Sequence, residues 1–303
     1  MLKRLLLVAA NNKRLERLIG TNPLTRKLVS RFVAGTTLAE AVQATKELNA
    51  RHIDVSLDLL GETVEHLQEA EVALQGYLDA VHAIAEQCPG NTLSVKLSQL
   101  GIGLDPAVSA GHLKQLIEAA RRVGVVLEID MEHSSVGPAI LDAFRNALDE
   151  HPDTRVAIQA AMRRTPNDLE SFQTTKPRIR LVKGAFLETQ DKALLDHSEV
   201  TAQYLFLTDW ALKNLPDPAF GTHDDVCIDH VKKAAVRLGV DRSNYEFQML
   251  YGVRRDLQQK LADEGYRIRV YIPYGTDWYP YLMRRMAERP ANLLFFLRSL
   301  VGG

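Results

Sequence analysis

From residue 51 onward the chain alternates short aliphatic or β-branched runs with longer stretches of helical spacing. The runs fall at 52–57, 92–98, 123–132, 155–160, 178–186, 219–223, 245–250 and 267–274, and each predicts a strand. Between them, Leu113, Leu116, Ile117 and Ala120 lie at i, i+3, i+4 and i+7, and Leu205, Leu212 and Leu215 continue a similar stripe. Asp224, Asp225 and Asn244 stand where helices would be capped. Strict strand–helix alternation implies a parallel sheet with crossover helices. Eight units in about 250 residues match a (β/α)8 barrel. A doubly wound open sheet fits less well. Its glycine fingerprint is approached only at Gly101-Ile102-Gly103-Leu104-Asp105-Pro106, which has proline in place of the third glycine. Residues 1–50 read as a helical arm outside the repeat, broken near Pro23 and Gly35, and residues 51–303 as the barrel.

Composition narrows the function classes. The 303 residues are 46% hydrophobic and 25% charged, the profile of a globular protein, and the net charge of −1 gives no global signal for nucleic acid. Cys88 and Cys227 are far apart and outside any CxxC spacing, which argues against a disulfide framework and for a reducing, cytoplasmic setting. No run is long enough to span a membrane, and the opening six-residue apolar stretch is followed at once by Lys13, Arg14 and Arg17, unlike a signal peptide. Charge is uneven, however. Residues 1–50 hold nine Lys or Arg against three Asp or Glu, leaving −7 for the remainder. Such an arm suits either solvent or an anionic membrane surface.

In a barrel, chemistry belongs at the C-terminal strand ends. Those ends are polar here: Lys96 and Ser98, then Asp130, Glu132 and His133, Gln159, Arg180 and Lys183, Thr222-His223-Asp224, Gln248, and finally Tyr271 and Tyr274. One such residue is ordinary. Seven strands ending this way point to a site that gathers both charge signs around a ligand. Near the C-terminus, Tyr281, Arg284, Arg285 and Glu288 share one helical stripe. Two adjacent guanidinium forks can grip one carboxylate, with the glutamate holding them; the plain alternative is an intrahelical ion pair.

The segments Ser94-Val95-Lys96-Leu97-Ser98, Asp130-Met131-Glu132, Arg180-Leu181-Val182-Lys183-Gly184-Ala185, Tyr245-Glu246-Phe247-Gln248-Met249-Leu250 and Tyr281-Leu282-Met283-Arg284-Arg285 occur in that order. Together they resemble the proline dehydrogenase family in its short monofunctional bacterial form, over residues from about 50 to 300. The resemblance implies a distorted (β/α)8 TIM barrel that binds FAD non-covalently and oxidises L-proline to 1-pyrroline-5-carboxylate, the first step of proline catabolism. It also implies transfer of the electrons to a membrane quinone, and so a peripheral contact with the inner face of the cell membrane. On this likeness Lys96, Arg284 and Arg285 grip the substrate carboxylate, Glu288 supports the arginines and Asp130 orders the lysine. Leu250, Tyr271 and Tyr281 wall the ring, while Met131, Gln159, Arg180, Lys183, Gly184, Ala185, Thr222, His223 and Gln248 contact the flavin. Two positions depart from the family pattern. Phe186 replaces the usual tyrosine after Ala185, which removes a hydroxyl, and Asp224 replaces the usual asparagine after His223.

The residues leave three other readings. His223, Asp224, Asp225, Cys227, Asp229 and His230 are dense enough to suggest a metal-dependent hydrolase, though aspartates are also normal at a helix start. A Schiff-base lyase would use Lys96 or Lys183, which requires a lowered lysine pKa and leaves the arginine pair unexplained. A non-catalytic flavin or amino-acid binding module would retain the same fold.

Overall fold

The computed structural model describes residues 29–61, 63–184, 186 and 188–288, with only the backbone of Ala287 and Glu288. The arm up to residue 28, Ala185 and the Glu288 side chain therefore lie outside the described residues. Eight parallel strands close into a barrel in sequence order. They are β1 (Asp54–Leu59), β2 (Thr92–Val95), β3 (Val126–Ile129), β4 (Arg155–Gln159), β5 (Arg178–Val182), β6 (Ala219–Gly221), β7 (Glu246–Leu250) and β8 (Arg267–Tyr274). All eight expected strands are present. The run at 178–186 stops early because from Lys183 the chain turns out into the mouth, and the run at 52–57 begins two residues late because His52 takes a left-handed φ of 59°.

The described helices are α1 (Leu38–Asn49), α2 (Leu67–Gln87), α3 (Pro106–Arg122), α4 (Gly137–Glu150), α5 (Thr165–Glu170), α6 (His197–Asn214), α7 (Asp225–Leu238), α8 (Arg255–Asp263) and α9 (Trp278–Glu288). Their starts follow capping chemistry. Asp105 accepts from the amides of Ala107 and Val108 ahead of Pro106, Asp224 accepts from Val226, and Thr37 with Glu40 forms a reciprocal capping box. The predicted stripe Leu113, Leu116, Ile117 and Ala120 is buried along α3. Asn244 instead closes a short 3-10 turn that Asp241 caps.

The segment before the barrel is not detached from it. Buried Ala41, Val42 and Leu48 place α1 in the main core. Upstream, Phe32 and Val33 join Leu60, Tyr279, Leu282 and Met286 in a second, smaller core over the mouth. Backbone bonds fix this overlay: the Ala34 amide donates to the Pro273 carbonyl and the Gly275 amide to that of Gly35, at 2.9 and 3.0 Å. The approach is tightest at Gly252, where a Cβ would sit 1.7 Å from the Arg31 carbonyl oxygen, so only glycine fits.

Apart from the short β6, whose residues are Ala219, Phe220 and Gly221, the strands turn an apolar side outward to the helices and a more polar side into the barrel. Val55, Leu57, Leu93, Val95, Ile179 and Leu181 belong to the helix-facing core. The alternating positions meet across the interior instead: Arg155 on β4 bonds Glu246 on β7 at 3.0 Å, and Ser56 on β1 lies 2.9 Å from Ser94 on β2. Most (β/α)8 barrels fill this space with branched apolar side chains. Here it holds ions. Arg155 also bonds Glu128 and Asp217 at 2.8 and 2.9 Å, Arg269 bonds Glu246 at 3.1 Å, and Arg178 and Arg267 converge on Asp217.

Burial works against the charge of Glu246, but Arg269 and Arg155 outweigh it and hold the carboxyl below the usual glutamate range. Its stabilising contribution is present above the ordinary glutamate value and is lost as pH falls through that value toward the depressed one. Glu246→Gln leaves two buried guanidinium groups short of a counter-charge, so the variant should lose about 3–5 kcal/mol of stability at pH 7. Urea unfolding at several pH values should show the gap to wild type narrowing below about pH 4.

Candidate active site

The centre of the mouth is built around Lys96. β2 ends at Val95 and the chain turns at once, so the lysine is delivered at the strand end; its amide donates to Tyr77 Oη at 3.1 Å, and Tyr77 donates onward to Gln99 at 2.7 Å. Lys96 Nζ donates to Asp58 Oδ1 on β1 and, at 3.1 Å, to Tyr271 Oη on β8. It also lies 3.2 Å from Asp130 Oδ2, the oxygen that accepts the Tyr271 hydroxyl proton at 2.6 Å. The other Asp130 oxygen accepts from Arg180 at 2.7 Å, and Arg180 also donates to Glu128 and to Gln248 Oε1.

Burial shapes the protonation of this cluster. It disfavours the Lys96 charge, but Asp58, then Tyr271 and Asp130, outweigh it and hold the ammonium well above its ordinary pKa. It pushes the Asp130 carboxyl up to about 6 against the pull of Lys96, with Asp58 adding to the rise. Arg180 is lowered to about 10, burial again leading. A lysine locked in its charged form between carboxylates is a poor Schiff-base nucleophile.

Around this centre the ends of β3 to β7 form an arc. Gln159 Nε2 donates to the Glu132 carbonyl at 3.0 Å. Beside it, Gly184 has φ +106°, and a Cβ there would lie 3.1 Å from Gln159 Oε1 and 3.2 Å from Ala161 Cβ. Lys183 Nζ donates to Asp224 and Thr201 at 2.7 and 2.8 Å. His223 Nε2 accepts the Leu250 amide at 2.8 Å, and the Thr222 amide donates to the Gln248 carbonyl at 3.2 Å. Met131 and Gln159 line a shallow depression together with Leu141, Ile158 and Met162. Phe186 is exposed and meets His133 edge-on at 6.4 Å, so the lost family hydroxyl leaves an aromatic surface at the mouth.

Most of the residues that suggested a metal site have other partners, and Asp229 is exposed on α7. Asp224 caps α7 and pairs with Lys183, Asp225 pairs with Arg254 at 2.6 Å, His230 bonds Asp209, and Cys227 is buried in the core.

The arginine pair arrives on α9, which follows β8. Tyr281 and Arg285 are both buried, with the guanidinium 5.2 Å from the Tyr281 ring, and Arg284 is half-buried one residue earlier. Tyr281, Leu282 and Met283 pack with Phe32, Val33 and Leu60, so the pre-barrel segment sets the position of this helix.

The structure thus joins Lys96, Asp130, Arg180, Tyr271 and Gln248 directly and arrays Met131, Gln159, Lys183, Gly184, Thr222, His223 and Leu250 around the same mouth. Asp58 and Glu128 were missed by sequence reasoning. Asp54, Ser56 and Asp58 fill alternate, inward positions of β1, a polar period-two signal; the expected strand stopped at 57, just before Asp58 and two residues short of the observed end.

Comparison with known proteins gives the family. The profile of the family described as Proline dehydrogenase matches residues 41–298. Proline dehydrogenase 1 of Bacillus subtilis (strain 168) is 36% identical over 301 residues, covering 99% of each chain. Proline dehydrogenase of Deinococcus radiodurans is 36% identical over 281 residues, 91% of each. Among solved structures, proline utilization A from Bdellovibrio bacteriovorus, inactivated by N-propargylglycine, superposes with a TM-score of 0.82 at 23% identity; the match covers 87% of this chain and 33% of that one and speaks to the fold. With a family profile spanning the barrel and relatives matching along nearly their full length, the chain belongs to the proline dehydrogenase family.

Proposed function

We propose that this protein oxidises L-proline to 1-pyrroline-5-carboxylate with a non-covalently bound FAD and passes the electrons to a quinone. The observation that carries the reading is the hydrogen-bonded Lys96–Asp130–Tyr271 cluster at the barrel mouth, in a chain of this family that bears Arg284 and Arg285 on the helix after β8.

The arc from β4 to β7 suits a flavin. A ring edge rich in carbonyls and ring nitrogens needs amide and cationic donors, and Gln159, Lys183 and Gln248 present both. Gly184 supplies a backbone cradle that any Cβ would fill, in a conformation that favours glycine. Thr222 and His223 complete the set, with Met131 on the apolar side. When bound, the flavin supplies the two-electron acceptor.

Proline is a small zwitterion with a mostly apolar ring, and its pocket needs cations at one end and packed carbon at the other. Arg284 and Arg285 serve the carboxylate, since an unpaired buried carboxylate would be very costly. Leu250, Tyr271 and Tyr281 pack against the ring, and Asp130 fixes Tyr271 through its hydroxyl. Oxidation removes a hydride from the ring carbon beside nitrogen and a proton from the nitrogen, leaving the C=N bond. The residues' part is to hold that carbon at near-attack distance. Arg180 spends its charge on Glu128 and Asp130, and Lys183 on Asp224, so their electrostatic help is that of fixed, partnered dipoles. No helix of the described residues is long and apolar enough to cross a membrane. The basic composition of residues 1–50 supports a peripheral contact with the membrane that holds the quinone.

An anaerobic visible spectrum of the FAD-loaded protein should bleach on addition of L-proline; an oxidised spectrum that persists would refute the substrate. Arg285→Ala should raise the proline KM at least about tenfold with flavin content unchanged, the cost of a lost charge-assisted pair. Reduction by proline should fall as pH drops through about 6, where Asp130 takes up a proton. The Tyr271 hydrogen bond lowers that value, so Tyr271→Phe should move the acid limb upward. An unmoved limb would assign the titration to another group.

A further inference from the structure

Asp58 stands at the base of the mouth with 1% exposure, and its carboxylate has one hydrogen-bond donor among the described residues, Lys96. Its second oxygen, Oδ2, is buried without a hydrogen-bond partner there. A buried carboxylate with so few donors is unfavourable for the fold, and a neutral amide would fill the same space and still accept from Lys96. What only a carboxylate offers at this position is its charge.

Lys96 has three N–H donors, and three acceptors surround it: Asp58 Oδ1, Tyr271 Oη and Asp130 Oδ2. Asp130 is shared with Arg180, so among the described residues Asp58 is the counter-ion that belongs to Lys96 alone. With Asp58 in place the lysine adds no net charge to the mouth. Without it, one further positive charge would act on whatever binds. A bare carboxylate would gain. A zwitterion would gain at its carboxylate and lose at its ring ammonium.

Resting on the proline reading above, we propose that Asp58 is a specificity-determining positioning residue. By cancelling the Lys96 charge it selects a ligand that carries an ammonium beside its carboxylate over a plain ring carboxylate of the same size. The effect reaches the ligand through Lys96 and needs no contact between Asp58 and substrate. The electrostatic coupling is visible within the cluster, where Asp58 raises the Asp130 carboxyl and holds the Lys96 ammonium charged.

The test uses the FAD-loaded full chain and two ligands, L-proline and cyclopentanecarboxylate, which keeps the ring and carboxylate and lacks the nitrogen. Calorimetric titration gives the Kd of the carboxylate, and flavin reduction gives the KM of proline. Asp58→Asn should bind cyclopentanecarboxylate roughly tenfold more tightly, the effect of one unit charge at an intermediate effective dielectric. Its proline KM should move less than about threefold, because the two ends of the zwitterion respond with opposite signs. Asp58→Glu, which keeps the charge, should retain the wild-type Kd. Asp58→Ser, which removes the charge with a smaller side chain, should tighten the Kd in the same direction and supplies the answer if the Asn variant does not fold. A Kd in Asp58→Asn that is unchanged or weaker, or equal shifts for both ligands, would overturn the proposal. If proline fails to reduce the wild-type flavin while the carboxylate still binds, the functional reading falls and the Kd series still decides the role of Asp58. A wild type that binds neither ligand overturns both.

Discussion

The constraint on which the rest of this structure depends is charge neutrality inside the barrel. Lys96, Arg155, Arg178, Arg180, Arg267 and Arg269 are balanced by Asp54, Asp58, Glu128, Asp130, Asp217 and Glu246 in one connected network of ion pairs. Removing ions from water is expensive, and their mutual attraction repays that only when each finds partners in good geometry. The network satisfies this by running from the lower rim, where Asp217 receives three arginines, to the mouth, where Lys96 sits between Asp58 and Asp130. An apolar interior would have been cheaper, so the ions reflect what the mouth needs: fixed, preorganised charges that cannot be supplied by flexible surface residues.

This arrangement couples stability to the site. Arg180 is the joint: it pairs with Glu128, which reaches the lower barrel through Arg155, and with Asp130, which belongs to the Lys96 cluster at the mouth. Its hydrogen bond to Gln248 ties in the arc of strand ends from β4 to β7. The second, smaller core completes the site from above. Phe32 and Val33 bury against α9, so the helix carrying Arg284 and Arg285 is seated by a segment more than two hundred residues away in sequence. The pre-barrel segment thus takes part in seating the last described helix over the barrel.

Much of the barrel was legible because its signals are local. Outward strand positions are aliphatic and recur with period two, α3 shows its stripe at period 3.6, and Asp105 and Asp224 announce helix starts by capping chemistry. Strand ends were less legible. Lys183 and Phe186 continue a β-like composition, yet Gly184 turns the backbone into a conformation that ends the strand. On β1 the opposite error hid Asp58, since a polar residue between Leu57 and Leu59 resembles a strand terminus when only the apolar run is followed.

The sequence by itself determined the eight-fold alternation, the family, and the residue types gathered at the strand ends, because periodicity and motif order are properties of neighbours along the chain. Only the tertiary structure decided which charge neutralises which. Asp58 and Lys96 are 38 residues apart, Arg180 and Glu128 are 52 apart, and Lys96 and Tyr271 are 175 apart. Closing the barrel brings those separations to bonding distance, and the net charge a ligand meets exists only once it has closed.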